Sequence, residues 1–213
     1  MKQNNIYLPY HIKNLTTADF KEFEKVVSLF KLPPFSEVLT KQDMIEEFDH
    51  CLSEGFIAGA FTQQGELMGI AEFVKGFQEE HAEFVNLPEE DKENTWYIHG
   101  LATLQQYRSS HTTGPKLHVC TNLVIHGIDQ VAKDPMTKWI YMRITKDNSM
   151  SEHLAERQGF FHVLKNGKYS VQNIDPTLED PYRAFLCKAM KENANLDWMY
   201  QPTEPVKVMK KEA

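Results

Sequence analysis

The chain has 213 residues, of which 41% are hydrophobic and 25% charged, with a formal net charge of -7, values that suit one ordinary globular α/β domain over residues 1–192 and a C-terminal tail over 193–213. An acidic balance without a basic stripe argues against general nucleic-acid binding, and the absence of a run of about eighteen apolar residues argues against a membrane span. The start MKQNNIYLPYHIKN lacks the apolar stretch of a signal peptide, so a cytoplasmic protein is expected.

Tyr10–Leu15 reads as a first strand, and Thr16, Thr17 and Asp19 after it offer helix-capping groups. Phe20, Phe23, Val27 and Phe30 form one face of a first helix, which Pro33 and Pro34 stop. A second helix opens at Thr40-x-x-Asp43, repeats Met44, Phe48 and Leu52 on one face, and closes at Gly55. The apolar runs Phe56–Phe61 and Leu67–Val74, joined by Thr62-Gln63-Gln64-Gly65-Glu66, read as a hairpin. An acidic stretch over 78–93 reads as a solvated loop.

A strand over Trp96–Thr103 then runs into a polar loop that opens an amphipathic helix over 117–133, whose Leu117, Cys120, Val124, Ile128 and Val131 share one face. Unpaired N–H groups and the dipole at such a helix start suit an anion, and Pro115 suits its first turn. Lys138–Ile144 is apolar enough for a central strand. A short helix over Asn148–Gln158 has a Ser149-x-x-Glu152 capping box and ends at Gly159. Strands over Phe160–Leu164 and Tyr182–Met190, with a further arm over Lys168–Gln172, complete the reading. Cys51, Cys120 and Cys187 are odd in number and widely spaced, which reads as core thiols; no disulfide and no metal is expected from them.

Two motifs stand in order. Thr103-x-Gln105-x-Tyr107-Arg108 precedes a small-residue loop and Leu117, and Asn148-x-x-Ser151-x-x-Leu154-Ala155-x-x-x-Gly159-Phe160 follows the next strand. Together they resemble the acyl-CoA loop and the later helix of the GNAT N-acetyltransferase superfamily. The loop departs from the family's Arg/Gln-x-x-Gly-x-Gly/Ala pattern, with His111 and Thr113 at the small-residue positions and Gly114 one place late. The resemblance implies an α+β fold: a mixed, mostly antiparallel sheet of about seven strands with about four helices, splayed between strands four and five.

It also implies an N-acyltransferase that moves an acetyl or other acyl group from acyl-CoA, such as acetyl-CoA, to a cationic amine on a small molecule or a protein. Acyl-CoA is then the co-substrate, with no metal, no nucleic acid and no membrane as partner, and a homodimer left open. The strand edge Leu101, Ala102 and Thr103 would take the pantetheine. Arg108, Ser109, Ser110, His111, Thr112, Thr113, Gly114 and Lys116 would take the pyrophosphate, with Asn148 and Arg157 on the cofactor side.

An alkylammonium has a pKa near 10 and attacks only when neutral, so a base is wanted near the splay. His99, on the same strand face as Leu101 and Thr103 by period two, and Glu72, on the hairpin, are the candidates. The family's thiolate-protonating Tyr is replaced by Ala155, which leaves Tyr169, Tyr107 or solvent as the acid. The alternative is a GNAT-fold module, weak or inactive in catalysis, that binds acyl-CoA or a protein partner.

Overall fold

The computed structural model describes residues 10–31, 39–79, 89–108, 118–145, 149–157, 160–162 and 182–188. Ser109 to Leu117, Asn148, Gly159, Tyr169, the arm over 168–172 and the tail lie outside them. Seven strands form one sheet among the described residues: β1 (Tyr10–Asn14), β2 (Gly55–Thr62), β3 (Leu67–Lys75), β4 (Thr95–Thr103), β5 (Trp139–Thr145), β6 (Phe161–His162) and β7 (Tyr182–Lys188). Their spatial order is β1-β2-β3-β4-β5-β7-β6. Only β4 and β5 run parallel, and the other neighbours are antiparallel. The expected mixed, mostly antiparallel sheet is therefore present. The helices are α1 (Phe20–Val27), α2 (Lys41–Glu54), α3 (Glu89–Lys92), α4 (Val119–Val131) and α5 (Ser149–Arg157). The short α3 sits inside the acidic stretch that the sequence presents as a loop.

Strand alternation sorts the sheet's side chains between two buried clusters. Phe23, Val26, Phe48 and Cys51 of α1 and α2 pack with Ile57, Ile70 and Val74. Leu123, Val124, Ile128 and Val131 of α4 pack with Phe73, Ile98, Ile140 and Met142 on the other side. Ile70, Glu72 and Val74 alternate on β3, so Glu72 shares the α1–α2 face and is 1% exposed. On α5, Leu154 is only partly buried against the α4 cluster, while Ala155 beside it is fully buried.

The start of α2 has the capping chemistry expected of it, whereas α4, expected from Leu117 with Pro115 in its first turn, begins at Val119 without a side-chain cap. The Thr40 hydroxyl accepts from the Asp43 N–H at 3.2 Å, and the Asp43 carboxylate accepts from the Thr40 N–H at 2.7 Å. Backbone and side-chain hydrogen bonds from Thr40 hold the Asp43 carboxyl below its usual pKa. A depressed folded pKa means that this contribution is present above the unfolded value of about 3.9 and is lost as pH falls through the folded one. Thr40→Ala should lower stability by about 1 kcal/mol in urea unfolding; an unchanged midpoint would show that packing alone holds α2.

One buried polar pair joins α4 to β1. The Asn122 amide of α4 donates to the Tyr10 hydroxyl of β1, and burial raises the Tyr10 pKa to about 12 despite that bond. Among the described residues no helix is long and apolar enough to cross a membrane.

Candidate active site

The site begins where β4 and β5 part. Their parallel ladder runs from Thr95↔Trp139 to Ile98↔Met142. Beyond it β4 continues to Thr103 and β5 to Thr145, while β4 stays paired to β3 and β5 to β7. The C-terminal halves of the two central strands thus separate within an otherwise continuous sheet, as the splay expected between strands four and five requires.

A bulge marks the same point. Against β3, Phe73 pairs with Ile98 but Ala71 pairs with Leu101, so two steps on β3 oppose three on β4 at His99–Gly100. Ile98 and Leu101 therefore both face the α4 cluster, three residues apart. Strict alternation would put His99 with Leu101 and Thr103, and the structure differs. The His99 ring lies 5.4 Å from the Tyr97 ring and reaches Glu47 of α2. Thr103 instead meets Cys120 of α4, with Oγ1 and Sγ 2.8 Å apart. The extra residue flips the phase, and that is what sends His99 toward α2.

On that face His99 Nδ1 lies 2.8 Å from Glu47 Oε1, with the two side chains 38% and 24% exposed. The Cys51 thiol, one helical turn on from Glu47, donates to the same Oε1 at 3.4 Å. Burial by itself raises the Glu47 pKa, but the hydrogen bond and charge of His99, helped by Cys51 and His50, hold it below the usual value. Burial first, then the carboxylates of Glu72 and Glu47, push the Cys51 thiol up. The two base candidates, His99 and Glu72, thus stand together, and Glu47 joins them. Glu47 is absent from the sequence reading because, although it borders the apolar face of α2 one turn before buried Cys51, a carboxylate falls outside the Met44, Phe48 and Leu52 repeat that marks that face.

Arg108 lies just past β4, its Nε donating to the Thr103 carbonyl at 3.0 Å. That bond pins an exposed side chain to the end of the strand edge formed by Leu101, Ala102 and Thr103. The Tyr107 hydroxyl donates to Glu66 at 2.6 Å, which raises its pKa and ties it to the β2–β3 turn. His118, directly before α4, has a left-handed backbone with φ of 49°, a strained conformation for a residue with a Cβ. Arg157 ends α5.

Three solved structures share the fold. A GNAT-family acetyltransferase from Staphylococcus aureus Mu50 superposes with a TM-score of 0.59 over 85% of this chain and 99% of that one, at 12% identity. An acetyltransferase from Streptococcus agalactiae 2603 gives 0.58 over 84% and 98%, also at 12% identity. The chain has the GNAT fold. A ribosomal-protein-alanine N-acetyltransferase from Brucella melitensis shares it as well, with a TM-score of 0.55 over 83% and 96% at 13% identity. No protein-family model matches the sequence, and no curated protein matches it. Identities this low carry the GNAT fold and not the residues that act on it.

Proposed function

We propose that this GNAT-fold chain transfers an acyl group, acetyl in the simplest case, from acyl-CoA to a primary amine by direct attack on the thioester. The observation that carries the reading is the His99–Glu47 pair, set by the β4 bulge beside the parting of β4 and β5. Acyl-CoA supplies the activated acyl carbon. The parted strands give a thioester-bearing arm a place between two sheet halves, and Arg108 at the end of β4 offers charge to phosphate. In the same reading Ser109 to Gly114 and Lys116 line the pyrophosphate, with Asn148 and Arg157 beyond.

The chain's own residues handle the proton. With Nδ1–H donating to Glu47, Nε2 is the basic nitrogen of His99, and Glu47 stabilises the imidazolium that forms. The acceptor enters as an ammonium and loses a proton to Nε2. Its nitrogen lone pair forms the N–C bond while the C–S bond breaks and the thiolate leaves, and the nitrogen then gives its surplus second proton to water to become the neutral amide. The thiolate, with a pKa near 8.5, departs without an obligatory acid. Acidic groups at Glu47 and Glu72 and the net charge of -7 favour a cationic acceptor.

The fully buried Ala155 favours the second reading, a module that binds acyl-CoA without turnover, because it places no hydroxyl where the family carries its Tyr. Burial also makes Ala155→Tyr a poor repair, since the larger side chain overpacks the α4 cluster. Calorimetric titration with acetyl-CoA, followed by free-thiol release with polyamines, amino acids and peptides, separates the two. Arg108→Ala should weaken CoA more than a pantetheine lacking phosphate. Equal losses would limit Arg108 to bracing Thr103.

A further inference from the structure

We infer that Glu47, Cys51, Glu72 and His99 form a seat for one divalent cation of the zinc class. Each offers one donor atom, and the four donors lie within 4.8 Å of one another. Two contacts are already shorter, at 2.8 Å from His99 Nδ1 to Glu47 and 3.4 Å from Cys51 Sγ to Glu47. A tetrahedral zinc with bonds of about 2.0–2.3 Å spaces its ligands about 3.5 Å apart. Closing the cluster around an ion therefore needs side-chain adjustments of about 1 Å or a little more, and no movement of helix or sheet.

The elements hold the donors from three directions. Glu47 and Cys51 are one turn apart on α2, Glu72 comes from β3, and His99 comes from the β4 bulge. Cys51 is 0% and Glu72 1% exposed, so half the donor set is already dry. Two carboxylates and a thiol gathered in a desolvated corner against one imidazole form an anion-rich centre that a divalent cation neutralises. The donor types select the metal. A sulfur and an imidazole beside carboxylates suit zinc or cobalt, whereas magnesium and calcium want oxygen alone.

The ion would take Cys51 as the thiolate, its proton passing to solvent, and would bind Nδ1 of His99 in place of the Glu47 hydrogen bond, which leaves the imidazole's proton on Nε2. On the transferase reading, zinc is then a reversible inhibitor that removes the base. The seat itself is tested without any activity assay. Chelator-treated protein is titrated with cobalt(II) alone and followed by absorption, and zinc is then added. One equivalent of cobalt should give tetrahedral d–d bands with a thiolate charge-transfer band in the near ultraviolet, and zinc should displace both. Cys51→Ser should abolish the charge-transfer band and Cys120→Ser should retain it. His99→Ala, at a side chain 38% exposed, should weaken cobalt about 100-fold or more. No tetrahedral spectrum in the parent, or bands that survive in both Cys51→Ser and His99→Ala, would overturn the seat. An intact spectrum without inhibition supports the seat and counts against His99 as the base.

Discussion

His99→Ala is expected to lower turnover in amine acetylation by about 10²–10⁴-fold in metal-free protein, the range that a positioned acid–base group contributes, while acetyl-CoA affinity stays unchanged. The two readouts divide because His99 faces α2, whereas the Thr103 side chain faces α4. Glu47→Gln should give a smaller loss in turnover, since an amide still accepts the Nδ1–H bond but no longer stabilises the imidazolium. Steady-state kinetics beside calorimetry check the pair. Equal turnover in His99→Ala and parent protein would move the base to Glu72, whose carboxylate belongs to the same cluster.

The largest effect on stability is expected at the contact between α4 and the sheet. Phe73 is fully buried and stacks on Phe56 with ring centroids 5.0 Å apart. Gly127 lies so close that an added Cβ would stand 2.0 Å from the Phe73 ring. Phe73→Ala should cost about 3–5 kcal/mol, a large share of the stability of an ordinary domain. For Gly127→Ala two effects compete. Helix propensity favours Ala by about 1 kcal/mol, but forcing a methyl into the stacked pair costs about 1–3 kcal/mol. The stack on Phe56 leaves the ring little room to shift, so the substitution should destabilise. Combined with Phe73→Leu its cost should shrink, as it does for residues in contact. Chemical denaturation of the four proteins in this cycle measures the coupling, and a stabilised Gly127→Ala would mean that α4 stands farther from β3.

Local chemistry made much of the fold readable. The β2–β3 hairpin follows from two apolar runs around a turn in which Gly65 takes a φ of 85°, and α2 from the reciprocal bonds of Thr40 and Asp43. The parting of β4 and β5 was reachable only through the resemblance, since no periodicity says which neighbours lose their ladder. The bulge at His99–Gly100 was marked only by Gly100 inside the strand run, and reading that run by strict alternation carried His99 to the wrong face. Register against β3, a long-range property, decides it. The cluster of Glu47, Cys51, Glu72 and His99 is scattered over more than fifty positions without a ligand spacing, so a sequence read by spacing expects no metal there.

Acyl transfer assisted by His99 is tested most directly by release of free thiol from acetyl-CoA. Metal-free protein is mixed with polyamines, amino acids and lysine-bearing peptides, with the His99→Ala protein run alongside. The expected result is thiol release above the uncatalysed rate with at least one cationic amine, and its loss in His99→Ala. Calorimetric binding of acetyl-CoA without release for any acceptor would contradict it, and would make the chain a GNAT-fold module that holds acyl-CoA without using it.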